Sequence, residues 1–435
     1  MIYVVSSKNS NRLKYVLDLV FGQLLGVEYA VVKEAKQHSI NILYGNENGF
    51  SVPDSGLLWQ EGTSIVGNLN TIGQWNNLPT FFVDDKNFSI PFDIFSAIFY
   101  LVSRIEEYNS FTPDVHNRFP PEASILVKNN WIKKPIVNLW VNQLLQELLL
   151  LDSDLVYKKR KFEFISTIDV DLAWKYKNKG LIRTIGGLLS DIIVFKNEKL
   201  KERLAVFLKK KEDPFYNFDF QFDLHKKYET DNRYFILLGK RGKYDKNNSP
   251  LNLHFRQLIR QLNVDYPVGI HPSYASNGNT ALLRNELNTL SNILGQTVLN
   301  SRQHFLVHQM PTTYQRLIEL GIKEDYTMGY TSYSGFRAGI AAPFYWYDVT
   351  KEEQTQLLLF PFCHMDITPR HYEAKSIEKA CEDLTAFITE IAEIGGLFSV
   401  LWHNESLSNS EQWQGWQHLY AHTLAEAQRL KKELK

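Results

Sequence analysis

The side chains whose types and spacing suit hydrolytic chemistry lie in the second half of the chain. Asp169 and Asp171 close the segment STIDVD, and His271 follows an apolar run in GIHPSYAS. Arg302 and His304 sit in NSRQHFL, and His403 with Asn404 ends LFSVLWHNE. Residues two apart on a strand point to one face, so Asp169 pairs with Asp171 and Arg302 with His304. Two carboxylates on one face repel unless a metal or a base role separates their protonation states. An Asp with His ligands suits Zn²⁺ or a similar divalent ion. A further Asp and His then remain for acid and base work. A plain surface pair is the alternative for the aspartates, and a lone His is more often structural.

These residues need elements to hold them. From residue 162 onward, strands and helices alternate. Strands are expected at 162–171, 233–239, 266–274, 297–306, 325–330, 357–366 and 396–405, with helices at 249–262, 279–294, 312–320, 376–394 and 411–434. Such alternation implies parallel strands with crossover helices, and catalytic residues of barrels sit at the C-terminal ends of strands. The fold class expected is α/β: an irregular (β/α) barrel of about seven parallel strands, with an open doubly wound sheet as the alternative. Before it, strands at 2–6 and 39–45 flank a helix near 12–25. Strands and turns fill 50–90. Two helices follow, one opened by Asp93 in PFDIFSAIFYLVSRIEEYN and one at 136–151. The segment DSDLVYKKRK reads as a linker. The division is therefore a smaller α/β domain over 1–155 and the β/α domain over 160–435. The Lys-rich stretch 175–230 is a long insertion, and its KKK run reads as a solvated helix face.

Composition narrows the function. Lys plus Arg equals Asp plus Glu, 48 each, which argues against a nucleic-acid partner. The two cysteines, Cys363 and Cys381, form no CxxC pair and read as reduced, buried thiols. The N-terminus lacks the basic start and unbroken apolar core of a signal peptide, and no run reaches the ~18 apolar residues of a membrane span. A cytoplasmic protein without a transmembrane segment is expected.

The order of segments after residue 160 resembles the polysaccharide deacetylases, also called carbohydrate esterase family four, in a bacterial subgroup where an uncharacterised N-terminal domain precedes a deacetylase-like domain. That family opens with T-x-D-x-D, matched by STIDVD. Its H-[ST]-x-x-H motif is met by HPSYA through His271, with Ala275 in place of the second histidine. Its Arg loop is met by SRQHF through Arg302, and its terminal strand by LFSVLWHN through His403. The resemblance implies Asp169 as general base, Asp171 and His271 as metal ligands, Arg302 orienting Asp169, and His403 as general acid. For the third ligand three readings stand: His304 from the next strand, which we favour; water or Ser276; or a lost metal site.

The resemblance thus implies a metal-dependent hydrolase, with zinc as the favoured ion, that removes an N-acetyl group from an amino sugar or glycan precursor. The rivals are a catalytically inactive carbohydrate-binding relic and a metal-independent amidohydrolase acting on a non-sugar amide. Either Arg302 or Arg337 is expected to hold Asp169 ionised. The segment 324–348, with Arg337, reads as a site loop. Its Tyr330, Phe336, Tyr345 and Trp346 are candidates for sugar stacking, with ordinary packing as the alternative. Asp245 and Asn247 either reach the pocket rim or form a plain turn. Arg104 and Glu106 in RIEEYN read as an exposed helix end.

Overall fold

A computed structural model describes residues 1–63, 71–193 and 197–434. Residues 64–70 of the expected strand-and-turn stretch, and 194–196 of the Lys-rich insertion, lie outside the described residues.

The N-terminal part builds a four-stranded parallel sheet in the order β2-β1-β3-β4 from β1 (Ile2–Val5), β2 (Tyr29–Val32), β3 (Ile40–Tyr44) and β4 (Ser51–Val52). A hairpin of β5 (Gly73–Trp75) and β6 (Leu78–Thr80) follows. The helix Ile94–Val102 is buried along its whole length, as a helix apolar on every face but for Ser96 is expected to be. Asp93 caps it, accepting from the Ser96 N–H at 3.0 Å. The helix Ile136–Leu151 matches its expected range.

The second part holds β7 (Glu163–Val170), β8 (Asp231–Leu237), β9 (Val268–His271), β10 (Asn300–Ser301), β11 (Glu324–Asp325), β12 (Phe344–Asp348), β13 (Glu353–Leu359), β14 (His364–Met365) and β15 (Leu397–His403). β7 is buried from its second residue on, so Ser166, Thr167 and Asp169 are enclosed along with its apolar side chains. Helices Leu253–Asp265, Thr280–Leu294, Thr312–Glu319, Ile377–Glu393 and Trp416–Glu433 lie where the sequence places crossover or flanking helices.

The architecture is mixed α/β, but the ladders do not draw the expected closed barrel. They run in the open order β12-β13-β11-β10-β9-β8-β7-β15-β14, parallel except for β12 against β13. The break has a local cause. Between β13 and β14 the chain passes Phe360 and Pro361, and proline has no N–H for a ladder. β13 therefore pairs with β11, and after the bend β14 pairs with β15. Single bonds span the gap: the Phe360 N–H donates to Asp325 O at 2.9 Å, the Phe362 N–H to Met328 O at 3.0 Å, and the Cys363 N–H to Ser399 O at 2.9 Å.

The expected site loop 324–348 is instead a seam between the two parts. Phe336 and Trp346 are fully buried, and Tyr345 lies half-buried on antiparallel β12. Gly335 carries a positive φ of 143°, and a Cβ there would lie 2.2 Å from the Ile132 carbonyl oxygen. Only glycine permits that close approach. The helix end read as exposed is also buried: Arg104, Glu106 and Glu107 form ion pairs with one another and with Arg337. Cys363 is buried, while Cys381 is only half-buried, and both are free thiols. Among the described residues no helix is long and apolar enough to cross a membrane.

Candidate metal centre

The register brings the polar strand ends together. β15 pairs with β7 so that His403 stands beside Asp169. β7 pairs with β8, and β8 with β9, which sets Leu237 beside His271. The expected strand at 297–306 is only two residues long. Arg302 and His304 therefore reach the site from the turn after β10, which bends sharply at Phe305 (φ 58°) and Leu306 (φ 52°). Bulky residues seldom adopt this left-handed backbone, and such strain concentrates at functional sites. The turn is clamped from the N-terminal part, since the Arg118 guanidinium donates to Phe305 O at 2.6 Å while Asp114 holds its other edge at 2.7 Å.

A cleft of about 300 Å³ opens here, lined by Asp169, Asp171, His271, His304 and His403 among others. Asp171 Oδ1 is 3.3 Å from His271 Nε2, and Asp171 Oδ2 is 3.7 Å from His304 Nε2. One ligand atom from each of Asp171, His271 and His304 lies within 4.8 Å of the others. The group fits a divalent ion on two further grounds. Buried Asp171 Oδ1 accepts no hydrogen bond, which leaves a lone pair for a cation. And each imidazole has its other nitrogen engaged: His271 Nδ1 with Arg302 O at 2.6 Å, His304 Nδ1 with Asp245 Oδ1 at 2.9 Å. Both partners can only accept, so each Nδ1 carries a proton, and in the neutral ring each Nε2 presents its lone pair.

His304 thus supplies what Ala275 cannot. Ser276 is turned away, its hydroxyl donating to Ser273 O. Asp245 ties the arrangement together, accepting from the N–H groups of Tyr274 and Ala275 at 2.8 and 3.1 Å as well as from His304. It is a buried anchor rather than a rim turn, and Asn247 likewise turns inward, donating to Gly239 O.

Charge is balanced tightly in the ion-free protein. Burial opposes ionisation of Asp171, but His304 and His271 outweigh it and hold the carboxyl well below its ordinary range. Burial also opposes a proton on His304, yet Asp171 and then Asp245 raise it to about 9. A divalent ion would take the place of that proton.

Asp169 is fully enclosed. Arg302 reaches its Oδ1 at 3.2 Å while donating to Tyr326 O and Thr167 Oγ1. The guanidinium is packed between the rings of Phe235 and Phe362. Arg337 does not reach Asp169. It is bound by Glu107 at 2.6 Å in the buried cluster at the seam, which removes it from the expected role. Nor do Tyr330, Phe336, Tyr345 and Trp346 line the cleft.

Asp366, which sequence reasoning overlooked, holds His403. It accepts from the His403 N–H at 2.7 Å and from Nδ1 at 3.1 Å. Burial alone would favour the neutral ring, but Asp366, with smaller contributions from Asp171 and Asp169, raises His403 to about 10. The available signal was its place, a carboxylate ending the apolar run LLLFPFCHMD. Arg118 and His116, which enter the cleft from the N-terminal part, carried no comparable signal.

A family model described as "Family of unknown function (DUF7033)" matches residues 2–152. No curated protein matches the chain. Among solved structures, it is similar to one titled as a polysaccharide deacetylase from Mycobacterium smegmatis, at 13% identity over 62% of this chain and 85% of the other, with a TM-score of 0.40. The Puue allantoinase is similar at 10% identity over 60% and 84%, with a TM-score of 0.37. A polysaccharide deacetylase from Bacillus cereus is similar at 13% identity over 61% and 86%, with a TM-score of 0.29.

Proposed function

We propose that the chain is a metal-dependent hydrolase that removes an N-acetyl group from an amino sugar or glycan precursor, with zinc as the favoured ion. Residues 160–435 form the catalytic domain, read as an irregular barrel in which β13 and β14 are one bent strand, and residues 1–155 form an N-terminal domain that shares its hydrophobic core. The observation that carries the reading is the convergence of two imidazole Nε2 atoms, each with its Nδ1 engaged, on the Asp171 carboxylate. Convergence of Asp169 and His403 on the same cleft favours an enzyme over a binding relic.

An ion held by Asp171, His271 and His304 supplies Lewis acidity toward water and an acyl oxygen. Asp169, held in place by the Arg302 guanidinium, accepts the proton of the attacking water. His403 donates Nδ1–H to Asp366, and that carboxylate raises it to about 10, so the ring is doubly protonated and gives its Nε2 proton to the departing amine. The apolar floor of Leu306, Met365 and Leu401 excludes bulk water from these transfers.

The test is release of acetate from N-acetylated amino sugars by the wild type and by Asp169→Asn. The variant is expected to keep its metal and lose at least ~100-fold in kcat, the usual range for a removed general base. Full turnover by Asp169→Asn would overturn the base assignment, and wild-type activity that survives exhaustive chelation would overturn the metal.

A further inference from the structure

The insertion after β7 breaks the usual rule for surface helices. It leaves the sheet just past Asp171 and folds into the helices Leu181–Ile193 and Asn197–Phe207. In the first, Leu181, Ile182, Ile185, Leu189, Ile192 and Ile193 are between 48% and 88% exposed. Their spacing puts them along one helical stripe. The sole buried residue of that helix is polar Asp191, which turns inward to the Arg203 guanidinium of the second helix at 2.7 Å. The helix is thus inside out, with its ion pair inward and its aliphatic stripe facing solvent. Gly187 allows this pairing, since a Cβ there would lie 2.7 Å from the Arg203 guanidinium. Exposed Leu208 lies just past the second helix.

Single exposed apolar residues need no explanation, but a contiguous aliphatic face marks an interaction surface. Charge selects the partner. Residues 175–211 hold eleven Lys and Arg against three Asp and Glu, in a chain whose total charge is zero. An aliphatic stripe flanked by basic residues is the pattern of a helix lying in a membrane interface, and anionic headgroups attract such segments. A second copy of the chain would bring the same positive charge to the contact.

We propose that this helical pair is a docking surface for an anionic lipid bilayer. Its base is fixed at the cleft end of the sheet. Asn404, next to His403, donates to the carbonyls of Leu172 and Phe215 at 3.1 and 3.0 Å, and Asn217 donates to Asn404 O at 2.8 Å. Arg183 donates to Asn247 O at 3.2 Å. Docking therefore holds the cleft end of the molecule near the bilayer. The proposal stands independently of the hydrolase reading.

The test is flotation of the full chain with phosphatidylcholine vesicles, with and without phosphatidylglycerol. Wild type is expected to float only with phosphatidylglycerol present, and less so as salt rises. Ile182→Glu/Ile193→Glu is expected to lower binding about tenfold or more while keeping the wild-type circular dichroism and Tm, because both side chains are exposed. Lys209→Gln/Lys210→Gln/Lys211→Gln is expected to weaken binding without touching the stripe. Wild type that stays unbound to phosphatidylglycerol vesicles, or a stripe variant that binds as wild type, overturns the proposal. So does a wild-type dimer by light scattering that becomes monomeric in the stripe variant and never floats, which would assign the face to a second copy.

Discussion

Each imidazole at the centre of the cleft has one nitrogen engaged before any ion arrives, His271 by a main-chain carbonyl and His304 by Asp245. That fixes ring orientation and tautomer, and such supporting partners typically contribute 10–100-fold in metal affinity. Asp245→Ala is accordingly expected to weaken zinc binding by about 10–100-fold in a chelator competition titration, while Asp171 and His271 still retain a residual site. Unchanged affinity would show that His304 needs no support from Asp245. The residues of this centre were legible because carboxylates and histidines at the ends of apolar strands have few other uses. Asp169, Asp171, His271, Arg302, His304 and His403 all reach one locus. Arg337 misled because a buried arginine at a seam between two parts has the same local signature as one at a site. Its true partner, Glu107, lies 230 positions away, which spacing cannot reveal.

At the scale of elements, long periodic segments were the legible ones. β7, β15 and the helices Ile136–Leu151, Thr280–Leu294 and Ile377–Glu393 fall within a few residues of their expected ranges. The short strands were not. β10, β11 and β14 contain two residues each, because the chain turns inward to deliver Arg302, Thr327 and Asp366 rather than continuing a ladder. The antiparallel strand β12 hid within an aromatic and glycine-rich stretch, where the usual cues for a loop and for a buried edge coincide. The helix Leu181–Ile193 has a clear hydrophobic period, but periodicity does not say which face turns inward. Here Asp191 and Arg203 decide it, through a contact between two helices.

For the whole molecule, the N-terminal part does more than precede the site. One hydrophobic core runs through both parts, Arg12 binds Glu352 across them, and Arg118 clamps the turn that carries His304. Acid should loosen this unit. Burial lowers His225 and His308 to about 3 and His364 to about 4, with the Arg337 charge adding to the effect at His308. Groups with depressed folded values favour the folded state above their unfolded value of about 6.5. That contribution is lost as pH falls toward the folded values, and each pH step of one between the two corresponds to roughly 1.4 kcal/mol. Urea midpoints are therefore expected to drop steadily from about pH 6.5 to pH 4, and more gently in a His364→Gln variant. A flat wild-type profile over that window would contradict the buried, neutral state of these rings.

Whether Asp171, His271 and His304 hold one divalent ion decides the rest, and elemental analysis of the purified full chain answers it, alongside Asp171→Asn and His304→Ala. About one zinc or similar ion per wild-type chain is expected, with little retained by either variant. Wild type that takes up no metal after incubation with zinc, or His304→Ala that keeps its full complement, would refute the three-residue site.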